Sequence, residues 1–94
     1  MRSTRIQVLA GGLAQNLLQR NPTRKIFMLI NNDALNAIGL QWGNSGDIVD
    51  FWPVPAGQVF VLDPTNPIFA LMIQDDIFIV SPSGNAVNCY MLVG

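Results

Sequence analysis

The chain has 94 residues, a formal net charge of −1, no His and one Cys. This length accommodates one small domain with a single core. The absence of His excludes catalytic triads and His-ligated metal sites, and one Cys cannot form an internal disulfide. We therefore expect a protein without enzymatic activity, cofactor or metal site.

The low content of charged residues favours assembly. Only 12% of the residues are charged, whereas a typical soluble protein has about 25%. Because a domain of this size buries only about 60 to 70% of the surface that its unfolded chain exposes, apolar side chains must face outwards somewhere. Large exposed apolar patches usually mark interfaces. We expect a homo-oligomer.

The charges are segregated along the chain. All five cations precede residue 26, and all six aspartates follow residue 32. This separation predicts a basic N-terminal arm, residues 1–20, that extends from a β-sandwich domain over residues 21–94 and docks on an acidic surface. Exposed ion pairs contribute only about 0 to 1 kcal/mol each, so the arm also needs apolar anchors. The arm residues predicted to lie at an interface are Arg2, Arg5, Leu13, Leu17, Leu18 and Arg20.

The charge pattern and the apolar runs also bear on other partners. Five scattered cations without interleaved aromatic residues are too few for a nucleic-acid site. No apolar run approaches the roughly 20 residues that a membrane span requires. We expect neither nucleic acid nor a membrane as partner.

The predicted elements begin with residues 6–10, whose alternation allows a short strand, and residues 13–18, which fit a short helix or an irregular arm. Beyond the break at Asn21-Pro22, short runs rich in Ile, Val and Phe predict strands. Turn-forming residues separate these runs at intervals of roughly 8 to 12 residues. The predicted strands are 25–30, 36–43, 58–62, 68–73, 77–80 and 87–92.

This pattern predicts an all-β fold, a small antiparallel β-sandwich of six to eight strands with an N-terminal arm. Both a jelly-roll-like and an immunoglobulin-like arrangement fit the spacing. A helical N-terminal segment packed on an open sheet is the alternative.

Few side chains could carry chemistry. Asp47, Asp50 and the pair Asp75-Asp76 could act as acid and base or bind calcium, but aspartates more often bond to backbone amides in turns. We favour the turn role. Cys89 lies in an apolar run and is predicted to be a buried small hydrophobic residue.

Aromatic residues offer a second kind of site. Trp42, Phe51, Trp52 and Tyr90 could together form a platform on which sugar rings stack. Trp42 shares the apolar face of its strand, so core packing is its expected role. Phe51 and Trp52 lie in a predicted loop, and we interpret them first as interface anchors because Trp is enriched at interface centres.

A family resemblance rests on five short motifs of turn and strand residues. They are Asn21-Pro22-x-Arg24, Ile30-Asn31-Asn32, Ile38-x-Leu40-x-Trp42-Gly43, Pro55-Ala56-Gly57 and Pro67-Ile68-Phe69-Ala70. With the terminal apolar strand, they make residues 21–94 resemble small β-sandwich structural proteins of tailed bacteriophages.

The resemblance implies a virion structural protein made in the host cytoplasm. A trimer is the oligomeric state expected for a capsid-attached protein of this type. A capsid decoration or cement protein on the capsid surface is the expected role, with the major capsid protein or another virion protein as partner. The alternative is a carbohydrate-binding module of a phage fibre, neck or tail host-recognition device, for which a glycan would be the ligand.

Overall fold

The computed structural model describes residues 2–42 and 52–94. Within these residues, the chain forms eight strands and one short helix. They are β1 (Arg2–Val8), β2 (Gln15–Leu18), β3 (Phe27–Asn31), β4 (Ile38–Trp42), β5 (Trp52–Val54), β6 (Val59–Val61), α1 (Pro67–Gln74), β7 (Ile77–Val80) and β8 (Val87–Val93). The prediction of a small all-β sandwich is confirmed.

The strands form two antiparallel sheets that enclose the core. The first sheet has the order β1-β8-β3-β6 and the second has the order β2-β7-β4-β5. Strand β1 pairs with β8, β2 with β7, β3 with β6, and β4 with β5. This nested pairing is the result of winding one long hairpin into two sheets, which is the jelly-roll arrangement. Of the two sandwich types that fit the sequence, the jelly roll is therefore the one observed.

The segment predicted to be an arm belongs to the sandwich. Strand β1 pairs with β8 over seven residues, from Arg2 opposite Val93 to Val8 opposite Val87, and β2 pairs with β7. Val8 is fully buried. The prediction that residues 1–20 extend from a domain of residues 21–94 is therefore wrong for the described residues 2–20. The cations of this segment lie on and beside edge strands, where charge is compatible with being part of a sheet.

Residues 68–73, predicted to be a strand, lie in helix α1. Asn66 caps the helix, because its side chain accepts a hydrogen bond from the Ile68 N–H at 3.0 Å, and Pro67 occupies the first turn. Ile73 is buried, whereas Ile68 and Leu71 are exposed. A short, continuous apolar run carries no periodicity, so the sequence alone could not separate a helix from a strand here.

Cys89 points between the two sheets and is fully buried, as predicted. Burial raises the pKa of its thiol to about 11, and the negative charge of Asp33 adds to this effect. A thiol with this pKa stays protonated at neutral pH, and the thiolate is the reactive form. Cys89 is therefore a core residue whose thiol is held in its unreactive, protonated form.

We expect Cys89 in the native protein to react at least about 100-fold more slowly with a thiol-specific reagent at pH 8 than in the unfolded chain, because burial and the raised pKa both suppress attack. Absorbance of the released chromophore, with and without denaturant, measures the two rates. Equal rates would place Cys89 outside the core.

Candidate interaction surface

The first sheet carries apolar side chains on its outer side. Successive residues of a strand point to opposite faces, so the buried Cys89 and Met91 place Tyr90 and Leu92 of β8 outwards. Two cross-strand rows extend across β8, β3 and β6 on this side. One row is Tyr90, Ile30 and Val59, and the other is Leu92, Met28 and Val61. We call these six residues the outer apolar face.

The outer apolar face is open to solvent, most of all on β6. Val59 is 54% exposed, Val61 is 55% exposed and Tyr90 is 36% exposed. The solvent side of an antiparallel sheet is normally polar. With strands about 4.8 Å apart and alternate residues about 6.7 Å apart, the six residues cover roughly 200 Å² of the sheet. This face is the candidate contact surface of the described residues.

Polar residues border the outer apolar face on the β1 side. Arg5 lies opposite Tyr90, Ser3 lies opposite Leu92, and Gln7 lies opposite the exposed Asn88. The face therefore ends at β1 but reaches the edge of the sheet at β6.

The second sheet differs on its outer side. Alternation places Gln41 and Val80 away from the core side of β4 and β7, yet they are only 4% and 1% exposed. At these two positions the outer side of the second sheet is therefore closed to solvent.

Trp52 lies at the open side of the sandwich between β5 and β6. It belongs to strand β5 and not to a loop as predicted, and it is 54% exposed. Its ring packs on Phe60, with the ring centroids 5.9 Å apart. A groove of about 340 Å³ runs along this side between the two edge strands. The exposure and position of Trp52 fit an interface anchor, whereas Phe51 lies outside the described residues.

Of the four aromatic residues considered for sugar stacking, the three that the structure describes, Trp42, Trp52 and Tyr90, do not form one platform. Trp42 packs on the core and its ring centroid lies 5.8 Å from that of Phe60, so its predicted core role is confirmed. Tyr90 lies on the opposite side of the first sheet from Trp52. Among the described residues that line the groove, only Gln58 and the indole N–H of Trp52 offer side-chain hydrogen-bonding groups. Sugar hydroxyl groups would find few partners there.

The predicted arm residues are not brought together. Leu17 and Leu18 are partly buried against the core, while Leu13 is 72% exposed in the loop between β1 and β2. Arg5 is exposed on β1, and Arg2 begins that strand. Arg20 is exposed, and its backbone N–H donates to the Asp76 carboxylate at 2.8 Å.

The described aspartates bond to backbone amides, as predicted, although the amide that Asp76 binds belongs to Arg20 and not to its own turn. The Asp33 carboxylate accepts hydrogen bonds from the Leu35 and Asn36 N–H groups, which lower its pKa. Asp75 and Asp76 accept from the N–H groups of Asp76 and Arg20. Asp47 and Asp50 lie outside the described residues. Residues 2–42 and 52–94 contain no cluster of three or more side chains suited to bind a metal ion.

Two buried polar residues, Arg24 and Asn31, hold the loops together, and the sequence pattern did not predict this role. The Arg24 guanidinium donates to the backbone carbonyls of Gln19, Ile73 and Asp75 at 2.7, 2.8 and 3.3 Å. Burial lowers the pKa of Arg24, and the Asp76 charge partly offsets this effect. Arg24 therefore joins the β2–β3 connection to the end of α1. Asn31 links the loops at the opposite end of the sandwich.

Within the described part of the chain, no helix is long and apolar enough to cross a membrane. Comparison of the chain with models of known protein families finds no matching family, and comparison with curated proteins likewise finds no match.

Proposed function

We propose that this chain is a structural protein of a tailed-bacteriophage virion that decorates the capsid surface and binds the shell through its outer apolar face. The observation that carries the proposal is the pair of apolar rows on the solvent side of the first sheet. The motif resemblance of residues 21–94 supplies the kind of particle. Jelly rolls serve many roles, so the fold alone does not select this one.

The size of the face fits attachment in many copies. Burial of roughly 200 Å² of apolar surface at 25 cal/mol per Å² contributes about 5 kcal/mol. Association costs at least about 4 kcal/mol in lost translational and rotational freedom. One face therefore binds weakly, and firm attachment requires several linked copies that bind together. A decoration protein on a symmetric shell meets this requirement.

The chemistry of the described residues agrees with a structural role. The described acidic side chains accept hydrogen bonds from nearby backbone amides, and the thiol is buried. The proposed mechanism is therefore burial of apolar surface, without a reaction.

The proposal is tested by placing one lysine on the face. Leu92→Lys puts a charge among Ser3, Met28 and the neighbouring apolar side chains, so we expect it to reduce binding to shells purified without this protein by at least about 10-fold. The matched control is Asn88→Lys, on the same strand and the same side but in the polar border. Its binding should be unchanged.

Co-sedimentation with the shells measures both variants, and circular dichroism verifies that both are folded. Equal binding by Leu92→Lys and Asn88→Lys would contradict the assignment of the face. Failure of the unaltered protein to bind shells would contradict the decoration role.

A further inference from the structure

Three of the four edge strands in the described part of the chain carry features that hinder the addition of another strand. Edge strands attract strands from other chains unless charge, proline or a bulge prevents it. Strand β1 contains two arginines, β2 has a register irregularity between Asn16 and Leu18, and β5 contains Pro53 opposite Gly39. Strand β6, with the sequence Val-Phe-Val, has none of these features. Strand β6 is therefore the described edge at which another strand can pair.

The backbone of β6 is oriented for such an addition. At one end of the strand the Asn31 N–H donates to the Gln58 carbonyl at 3.0 Å, and at the other the Leu62 N–H donates to the Phe27 carbonyl at 3.3 Å. Alternate residues of an antiparallel strand direct their N–H and C=O groups to opposite sides. Gln58, Phe60 and Leu62 therefore face β3, while the backbone groups of Val59 and Val61 face the open side of the sheet.

We propose that β6 pairs with β6 of a second copy of this chain, antiparallel, about a two-fold axis that passes beside Phe60. In this register, Val59 lies opposite Val61 of the second copy, and Val61 lies opposite Val59 of the second copy. Each pair exchanges two N–H···O bonds, which gives four hydrogen bonds between the chains. The two first sheets become one sheet of eight strands. This inference goes beyond attachment to a shell and does not depend on it.

Side-chain chemistry favours a second copy as the occupant. The edge and the neighbouring outer residues of β3 are uncharged, and two strands, β8 and β3, separate the arginines of β1 from β6. Two copies therefore meet without like-charge repulsion. Pairing also joins the row that ends in Val59 to the row that ends in Val61 of the second copy, so the outer apolar face becomes twice as large.

Burial at this edge supports the same occupant. Trp52, Val59 and Val61 are each more than half exposed, and all three lie on the β5–β6 side of the sandwich. Trp52 contacts Phe60 on the inner side of the strand, beside the groove. A second copy across the axis covers side chains on both faces of the sheet at β6. Residues that dominate binding at interfaces are likewise shielded from solvent by the partner. The assembly is a dimer, in place of the trimer expected from the sequence.

The test measures the mass of the full chain by light scattering at micromolar concentration. We expect twice the chain mass of 10.3 kDa. Val61→Pro removes one of the two outward N–H groups of β6 but none of the donors to β3. It should raise the dissociation constant of the dimer at least about 10-fold. The matched control Val61→Thr keeps the N–H and the branched side chain, and should remain dimeric. A monomer or trimer of the unaltered protein, or an unchanged dimer of folded Val61→Pro, would overturn the proposal.

A second measurement covers the case in which Val61→Pro does not fold. Val59→Cys and Val61→Cys chains are mixed and oxidised gently. The proposed register places these two positions opposite each other, so disulfides between a Val59→Cys chain and a Val61→Cys chain should form in higher yield than disulfides between two Val59→Cys chains. Equal yields would refute the register. A dimer that does not bind shells would contradict only the decoration role, whereas a monomer that binds them would contradict only the pairing of β6.

Discussion

A variant that lacks residues 2–20 is expected to lose cooperative unfolding. The deletion removes strands β1 and β2, the fully buried Val8, and the partly buried Ile6, Leu17 and Leu18. At about 1.5 to 3 kcal/mol for a fully buried aliphatic side chain, the loss is on the order of 5 to 10 kcal/mol. A domain of this kind has a free energy of unfolding of about 5 to 15 kcal/mol in total. Urea titration followed by Trp fluorescence measures the transition.

The control for the deletion removes charge but keeps both strands. Arg5→Ser combined with Arg20→Ser changes two exposed side chains, and should shift the free energy of unfolding by less than about 1 kcal/mol. A truncated protein that unfolds sharply at the original urea concentration would restore the idea of a separable arm.

Asn31→Ala is expected to lower the free energy of unfolding by about 3 to 5 kcal/mol. The fully buried side-chain amide donates to the carbonyls of Asn36, Val54 and Pro55 at 2.9, 3.1 and 3.2 Å. Its oxygen accepts from the Asp33 N–H at 3.0 Å. Removal leaves buried backbone groups unpaired at about 1 to 3 kcal/mol each. The β3–β4 and β5–β6 loops would lose their common link.

The adjacent Asn32 provides the matched control, because it has the same side chain but is exposed. Asn32→Ala should change the free energy of unfolding by less than about 0.5 kcal/mol. Similar effects of the two substitutions in urea titrations would show that the Asn31 amide does not hold the loops.

The sequence was most informative where local pattern alone decides the structure. Strand β7 was predicted with both ends correct, and alternation in β8 separated its inward residues from its outward ones. The runs at β3 and β6 were recognised as strands, but their two faces could not be told apart because residues of both faces are apolar. Only the pairing of β3 with β8 and β6 places Met28 and Ile30 on the solvent side.

The predictions were wrong where contacts between residues far apart in the sequence determine the structure. Nothing near residues 2–8 indicates that their partner is β8, more than 70 residues along the chain. Segregated charge was therefore interpreted as a free arm. Trp52 was predicted to lie in a loop, but it belongs to β5, and its place beside Phe60 depends on the arrangement of two edge strands in different sheets.

The nested pairing of the strands also constrains the order of events during synthesis. Among the described strands β1 pairs with β8 alone, so the first of these eight strands to leave the ribosome must wait for the last of them before it can join its sheet. Most native contacts join residues far apart in sequence, a property that slows folding and prolongs the exposure of unpaired strands. The hairpin of β4 and β5 is complete well before either end of the chain has a partner. The topology therefore favours folding that begins at this hairpin and spreads outwards to the other strands.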